Sequence, residues 1–311
     1  MTMRKSLVVL ALLLVLPFSL AAMSDGPARL YQSILTGTTE KLAKEGIRLW
    51  DDRVVTADAD SAPSLLDRGE TNLQIVGPID NGQLTRISEA LMKNEDRNQL
   101  VRLDLSGTTG LVEIHRNAFR EESKLGSIVL PEGVTSMVRD AFLYADHLLE
   151  VTLPESMGDA NGNAFNETMI ARMVLPASTK WYGFRFLSSK TDCIIVFADG
   201  RTSVAINGFA APSNRTGSPA GKVSVHRIFV LPPSLSEISV VDFDSGSLVD
   251  ELYSYAKKPP KFGQAATMAF PFASTIYVPS SSLKAYQKEW AAQTKAQFKP
   301  LPADFADFDA W

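Results

Sequence analysis

The chain has 311 residues, 45% hydrophobic and 21% charged, with a formal net charge of -4. That balance supports a folded core and excludes wholesale disorder. It also lacks the clustered Lys/Arg footprint that nucleic-acid binding requires, since its densest basic cluster, Lys257, Lys258 and Lys261, is broken by Pro259 and Pro260 and reads as a solvated loop.

Arg4 and Lys5 precede an unbroken apolar run from Leu7 to Leu16, and Pro17 and Ser19 lead into small residues. The pattern is that of a secretory signal peptide, residues 1–21, cleaved after Ala21. The apolar stretch stops at Met23, short of the roughly 20 residues of a membrane span. No later stretch is apolar enough, so the mature chain is expected to have no membrane span. Residues 22–70 read as partly helical, over Ala28–Leu35 and Thr38–Trp50, with Gly37 and Gly46 interrupting and Asp58–Ser64 forming a loop.

From residue 71 the pattern changes. Thr71–Gly77 reads as a strand, and Leu84, Ile87 and Leu91 share one helical face. Leu103-Asp104-Leu105 then opens a repeat. Lys124–Pro131, His147–Pro154 and Met169–Pro176 each end in a Leu-x-x-Ile-x-Leu-Pro-like strand. Ala-Phe pairs place Phe119, Phe142 and Phe165 at intervals of 23 residues, in phase with Leu130, Leu153 and Leu175. A period near 23 falls in the range of leucine-rich repeats, about 20–29 residues. Proline suits the strand end, where pairing stops. One unit cannot cover its own apolar face, so units must stack.

The period is lost over 177–270. Cys193 sits in the apolar run Cys193–Phe197 and reads as a buried core thiol, unable to form an intrachain disulfide because it is the only cysteine. Ala210–Gly221 is rich in Pro, Ser and Gly and reads as a loop. Strand-like segments return at Ile228–Pro232 and Ile276–Pro279. Leu283, Tyr286 and Trp290 then fall on one face of a closing helix, with serines before them as candidate N-caps. Asp304–Trp311 reads as a frayed acidic and aromatic end.

The Leu-x-x-Ile-x-Leu-Pro strand with its Ala-Phe pair resembles the BspA-type leucine-rich repeats of bacterial surface proteins. The lead-in from Thr71 and the closing strand and helix near Ile276–Trp290 are similar to that family's ends. The resemblance implies an α/β repeat solenoid with short parallel strands, irregular C-terminal repeats and a terminal capping helix. On this reading the solenoid spans 71–292, regular over 100–176, irregular over 177–270 and closing over 274–292, with a tail at 293–311. It also implies a binding or adhesion role at the cell envelope, toward host matrix or another envelope protein.

Motifs for chemistry are few. His115, His147 and His226 sit at unlike repeat positions, which favours packing or solvated roles over metal binding. Ser281-Ser282-Leu283-Lys284 matches Ser-x-x-Lys without the companion elements that would make it catalytic. Asp242-Phe243-Asp244-Ser245-Gly246 starts like a calcium loop, but Tyr253 occupies the position of the closing glutamate. Asn166-Glu167-Thr168 and Asn214-Arg215-Thr216 are sequons without meaning in a bacterial chain. Neither a cofactor nor an enzymatic activity is expected.

A solenoid instead offers the outward residues of its strands as one surface. With Leu103, Ile128, Val151 and Met173 inward, the outward set includes Arg102, Asp104, Glu150, Thr152 and Arg172, and the same alternation assigns Arg227, Phe229 and Tyr277. This mixture suits protein recognition. The expected function is therefore an exported, non-enzymatic binding protein of the periplasm or cell surface. The alternatives are an envelope hydrolase with its site in 177–270 and a periplasmic structural scaffold.

Overall fold

A computed structural model of the chain describes residues 25–93, 98–179, 181–182, 187–205, 225–239, 249–263, 272–292 and 294–311. The expected signal peptide, the expected loop at Ala210–Gly221, Asp242–Gly246 and the Asn214 sequon lie outside the described residues.

Eleven strands form one parallel sheet whose spatial order is the order of the chain. They are β1 (Val55–Ala57), β2 (Asn72–Pro78), β3 (Val101–Thr109), β4 (Leu125–Val129), β5 (Glu150–Thr152), β6 (Arg172–Leu175), β7 (Cys193–Phe197), β8 (Arg227–Leu231), β9 (Val249–Ser254), β10 (Phe272–Val278) and β11 (Gln297–Pro300). Alternate side chains of each strand face the interior. The pairings carry one inward column from Leu73 through Leu103, Ile128 and Val151 in the first rungs. It continues through Met173, Ile195, Phe229, Leu252, Ile276 and Phe298. Leu130, Leu153 and Leu175 are buried at the ends of three successive rungs.

Each coil returns through a second, shorter parallel ladder. Glu113–Ile114, Ser136–Met137, Asp159–Ala160 and Trp181–Tyr182 stack in register, with Ile114, Met137 and Ala160 buried. Between the two ladders the Ala-Phe turn drives a ring inward. Phe119, Phe142 and Phe165 stack face to face at centroid separations of 5.2 and 5.0 Å. The tight turns need left-handed backbone at two places per coil. Asn117, Asp140 and Asn163 occupy the first, at φ 61°, 66° and 57°, and Glu121, Tyr144 and Glu167 occupy the second. Asn and Asp tolerate that conformation best.

Both ends of the interior are covered by helices. At the N-terminal end, α2 (Ala62–Asp67) and α3 (Asn81–Lys93) bury Leu66, Leu84, Ile87 and Leu91. At the other end, α4 (Leu283–Trp290) buries Tyr286 and Trp290. The Trp290 indole N–H donates to the Pro260 carbonyl at 3.0 Å, and the Tyr286 hydroxyl to Ala256 at 2.9 Å. The serines before α4 do not cap it; the Ser282 hydroxyl donates to the Lys257 carbonyl instead.

The irregular segment is more regular than its sequence suggests. β7 is a full rung, and β9 is another that divides the long interval between Ile228–Pro232 and Ile276–Pro279 into two coils. One further rung, β11, follows the closing helix. The aromatic tail is not frayed, because Trp311 is buried and its indole N–H donates to the Tyr255 hydroxyl at 2.7 Å. Cys193 is buried and free, and desolvation pushes its thiol up to about 12. Asn166 lies in the short strand Phe165–Thr168 and is buried, so its sequon is not a surface site.

Candidate outer strand face

Two rows of side chains point away from the interior. The first runs Arg102, Ser127, Glu150, Arg172, Ile194, Ile228, Glu251, Thr275. The second runs Gln74, Asp104, Val129, Thr152, Val174, Val196, Val230, Tyr253, Tyr277. The rows change character at β7. Before it, each outward pair carries at least one polar or charged residue; at β7 and β8 both members are aliphatic.

The apolar section is roofed by the two terminal segments of the described chain. α1 (Gly26–Lys44) starts at Asp25, whose carboxylate accepts from the Ala28 N–H, with Pro27 in the first turn. Its Leu30, Tyr31 and Ile34 join a cluster with Ile194, Val196, Ile228 and Val230. Leu301, Phe305, Phe308 and Trp311 of the tail join the same cluster over Tyr253 and Tyr255. Tyr253 stacks on Tyr277 at 4.6 Å and on Phe305 at 5.3 Å. The two roof segments meet where Arg29 pairs with Asp304. A Cβ at Gly26 would fall 2.4 Å from the Phe305 ring, so glycine is what permits this approach. Farther along, Leu42 is anchored among Leu100, Leu149 and Met169 at the strand starts.

Polar contacts mark the border between roofed and open rungs. The Tyr31 hydroxyl donates to Glu150 Oε1 at 2.9 Å, and the Arg172 guanidinium lies 5.7 Å from the Tyr31 ring centre. Burial and the neighbouring Glu150 carboxylate raise the Tyr31 phenol, while burial lowers Arg172. The Thr38 and Thr191 hydroxyls share a bond of 2.6 Å.

The eight residues assigned to this face by alternation therefore divide. Arg102, Asp104 and Thr152 point outward on open rungs, Thr152 exposed and the other two half-buried. Glu150 and Arg172 point outward but engage α1. Tyr277 points outward within the aromatic cluster of the tail. Arg227 and Phe229 are corrected: Phe229 is fully buried in the interior, edge-on to Phe197 at 5.8 Å, and Arg227 shares its parity and is 7% exposed. Their alternation was shifted by one residue, which sends a strand's side chains to the opposite face. Tyr31 and the tail aromatics were missed. Their signal was indirect: Cys193–Phe197 and Ile228–Leu231 are continuous apolar runs, the mark of strands buried on both faces.

Among the described residues, no group of three or more His, Cys, Asp or Glu is placed to hold a metal ion. The histidines stay apart. His115 contacts Thr85 and Asn81, His147 contacts the Ser123 carbonyl, and His226 lies 3.9 Å from Glu251. Among the same residues no helix is long and apolar enough to cross a membrane.

Six copies of the BspA-type leucine-rich repeat region match residues 84–209. No curated protein matches the chain. Among solved structures, a leucine-rich repeat protein from Bacteroides ovatus ATCC 8483 is similar at 14% identity over 65% of this chain, with a TM-score of 0.30. The chain spans 61% of that protein's length. A leucine-rich cell surface protein from Faecalibacterium prausnitzii A2-165 is similar at 15% identity, covering 81% of this chain and 86% of that one, with a TM-score of 0.25. The repeat period and the matched copies agree: the chain folds as a repeat solenoid, and over residues 84–209 it is similar to the BspA-type leucine-rich repeat region.

Proposed function

We propose that the protein is an exported recognition module that binds another protein through the open rungs of its main sheet, at β3 to β5. The observation that carries this reading is the outward surface of Arg102, Asp104, Val129 and Thr152. It mixes both charge signs with apolar area on a rigid ladder whose backbone groups are already paired, so docking there needs little reordering. Glu150 and Arg172, held by Tyr31, form its far border. Export rests on the Arg4–Lys5 and Leu7–Leu16 pattern, and the partner is a host-matrix or envelope protein. The solenoid supplies binding rather than catalysis.

The test is capture of envelope and host-matrix proteins by the chain from Ala22 onward, compared with an R102E/D104K variant. Reversing both charges keeps the fold's inward residues and should abolish capture of any partner seated on these rungs. Capture that survives the reversal unchanged places the contact elsewhere and overturns the assignment.

A further inference from the structure

Each flank of the main sheet ends in a strand that is paired on one side. β1 pairs with β2 and β11 with β10, and among the described residues nothing pairs with their outer edges. A free edge leaves backbone N–H and C=O groups open to another strand. The helices over the two ends also leave the interior incompletely covered. Among the described residues, the apolar side chains that touch the interior yet stay partly exposed are Val55 and Leu65 in the first coil and Phe262, Leu283, Ala296 and Phe298 beyond β9. Val55 and Phe298 are the end members of the inward column, beside Leu73 and Ile276. Val54, just before β1, is 52% exposed.

The two ends carry opposite charge. Residues 51–70 hold six carboxylates against two arginines, and Asp51, Asp52, Asp58 and Asp67 are exposed. Residues 284–299 hold four lysines against one glutamate, and all four lysines are exposed. The acidic tail lies back over the outer face, where Asp304 meets Arg29. Short edge strands, lysines and Pro300, which has no N–H to donate, discourage indiscriminate pairing. They still admit a partner whose own edge is short and acidic, and the other end of this chain has both properties.

We propose that the two ends join copies of the chain head to tail, β11 of one copy beside β1 of the next. The strands run parallel there, as they do throughout the sheet. Seating Phe298 beside Val55 continues the inward column across the junction and covers both side chains. The same register sets Lys299 beside Thr56 on the outer row and Lys295 against Asp52, and Pro300 ends the ladder. The contact joins two different surfaces and continues the sheet along its own axis, so it builds an open row of copies and not a closed dimer. It is independent of what the open rungs of β3 to β5 bind.

Sedimentation velocity of the chain from Ala22 onward, over a concentration series up to about 1 mM at low salt, tests it, because so short an edge gives weak association. The mass should grow past two copies with concentration and fall back as salt screens the ends. Lys295→Glu and Asp52→Lys each turn an attraction into a repulsion and should each weaken association about tenfold. Both residues are exposed, so the unfolding midpoints should stay unchanged. An equal mixture of the two variants should regain the wild-type association, because each junction then pairs a lysine with a carboxylate. A chain that stays monomeric throughout, an association that stops at two copies, one indifferent to both substitutions, or one that the mixture fails to restore overturns the head-to-tail contact.

Discussion

Phe142 is the middle ring of the aromatic spine and has no solvent exposure. Truncating such a ring to alanine costs roughly 3–5 kcal/mol from lost transfer energy and the cavity left behind. Phe142→Leu is more informative, because it keeps most of the apolar volume and removes the ring contacts at 5.2 and 5.0 Å. Each stacked pair adds about 0.5–1.5 kcal/mol beyond burial, so losing both should cost about 1–3 kcal/mol. Urea unfolding followed by circular dichroism gives the stabilities. A double-mutant cycle with Phe119→Leu isolates one pair and should return a coupling near 1 kcal/mol. A coupling indistinguishable from zero would refute the claim that adjacent coils are joined through their rings.

Two further outcomes follow from buried groups. Glu122 is 1% exposed, and desolvation, only partly opposed by Lys124, pushes its carboxyl up to about 7. A carboxyl raised in the folded state stabilises fully below its unfolded value and loses that contribution as pH climbs through the folded one. Wild-type stability should therefore fall between pH about 4.5 and about 7, by on the order of 3 kcal/mol, and Glu122→Gln should flatten that fall; unfolding midpoints across the range check it. Gly126 faces the Trp50 ring, where a Cβ would sit 2.7 Å from Cζ3 and 3.1 Å from the Leu100 Cβ. Gly126→Ala should cost roughly 1–3 kcal/mol and shift tryptophan emission to the red as Trp50 is displaced; unchanged emission and stability would contradict the close packing.

The regular coils were legible because they obey two periods at once, alternation along the strand and 23 residues between strands. Leu103, Ile128, Val151 and Met173 were placed inward on that basis, and they are. Beyond Pro176 one of the periods fails. At Ile228–Leu231 every residue is apolar, so alternation is silent, and anchoring on Ile228 put Phe229 on the wrong side. Anchoring instead on Leu231-Pro232, as in the earlier coils, gives the observed register. The roof was illegible for another reason. Helix α1 and the tail carry no repeat, and their docking depends on a surface assembled from strands far away in sequence. Alternation thus gave the outward direction of Arg102, Asp104, Glu150, Thr152, Arg172 and Tyr277, failed at Arg227 and Phe229, and was silent on which of these residues the chain itself covers.

In the main sheet each strand bonds only to its predecessor and its successor in the chain. Successive partners are 22 residues apart between β6 and β7 but 34 apart between β7 and β8, yet the rungs stay in step. The longer interval leaves the hydrogen-bonded spine in register. The architecture therefore tolerates unequal spacing between successive strands, because each rung is fixed by its neighbours' backbone and not by the length of chain that joins them.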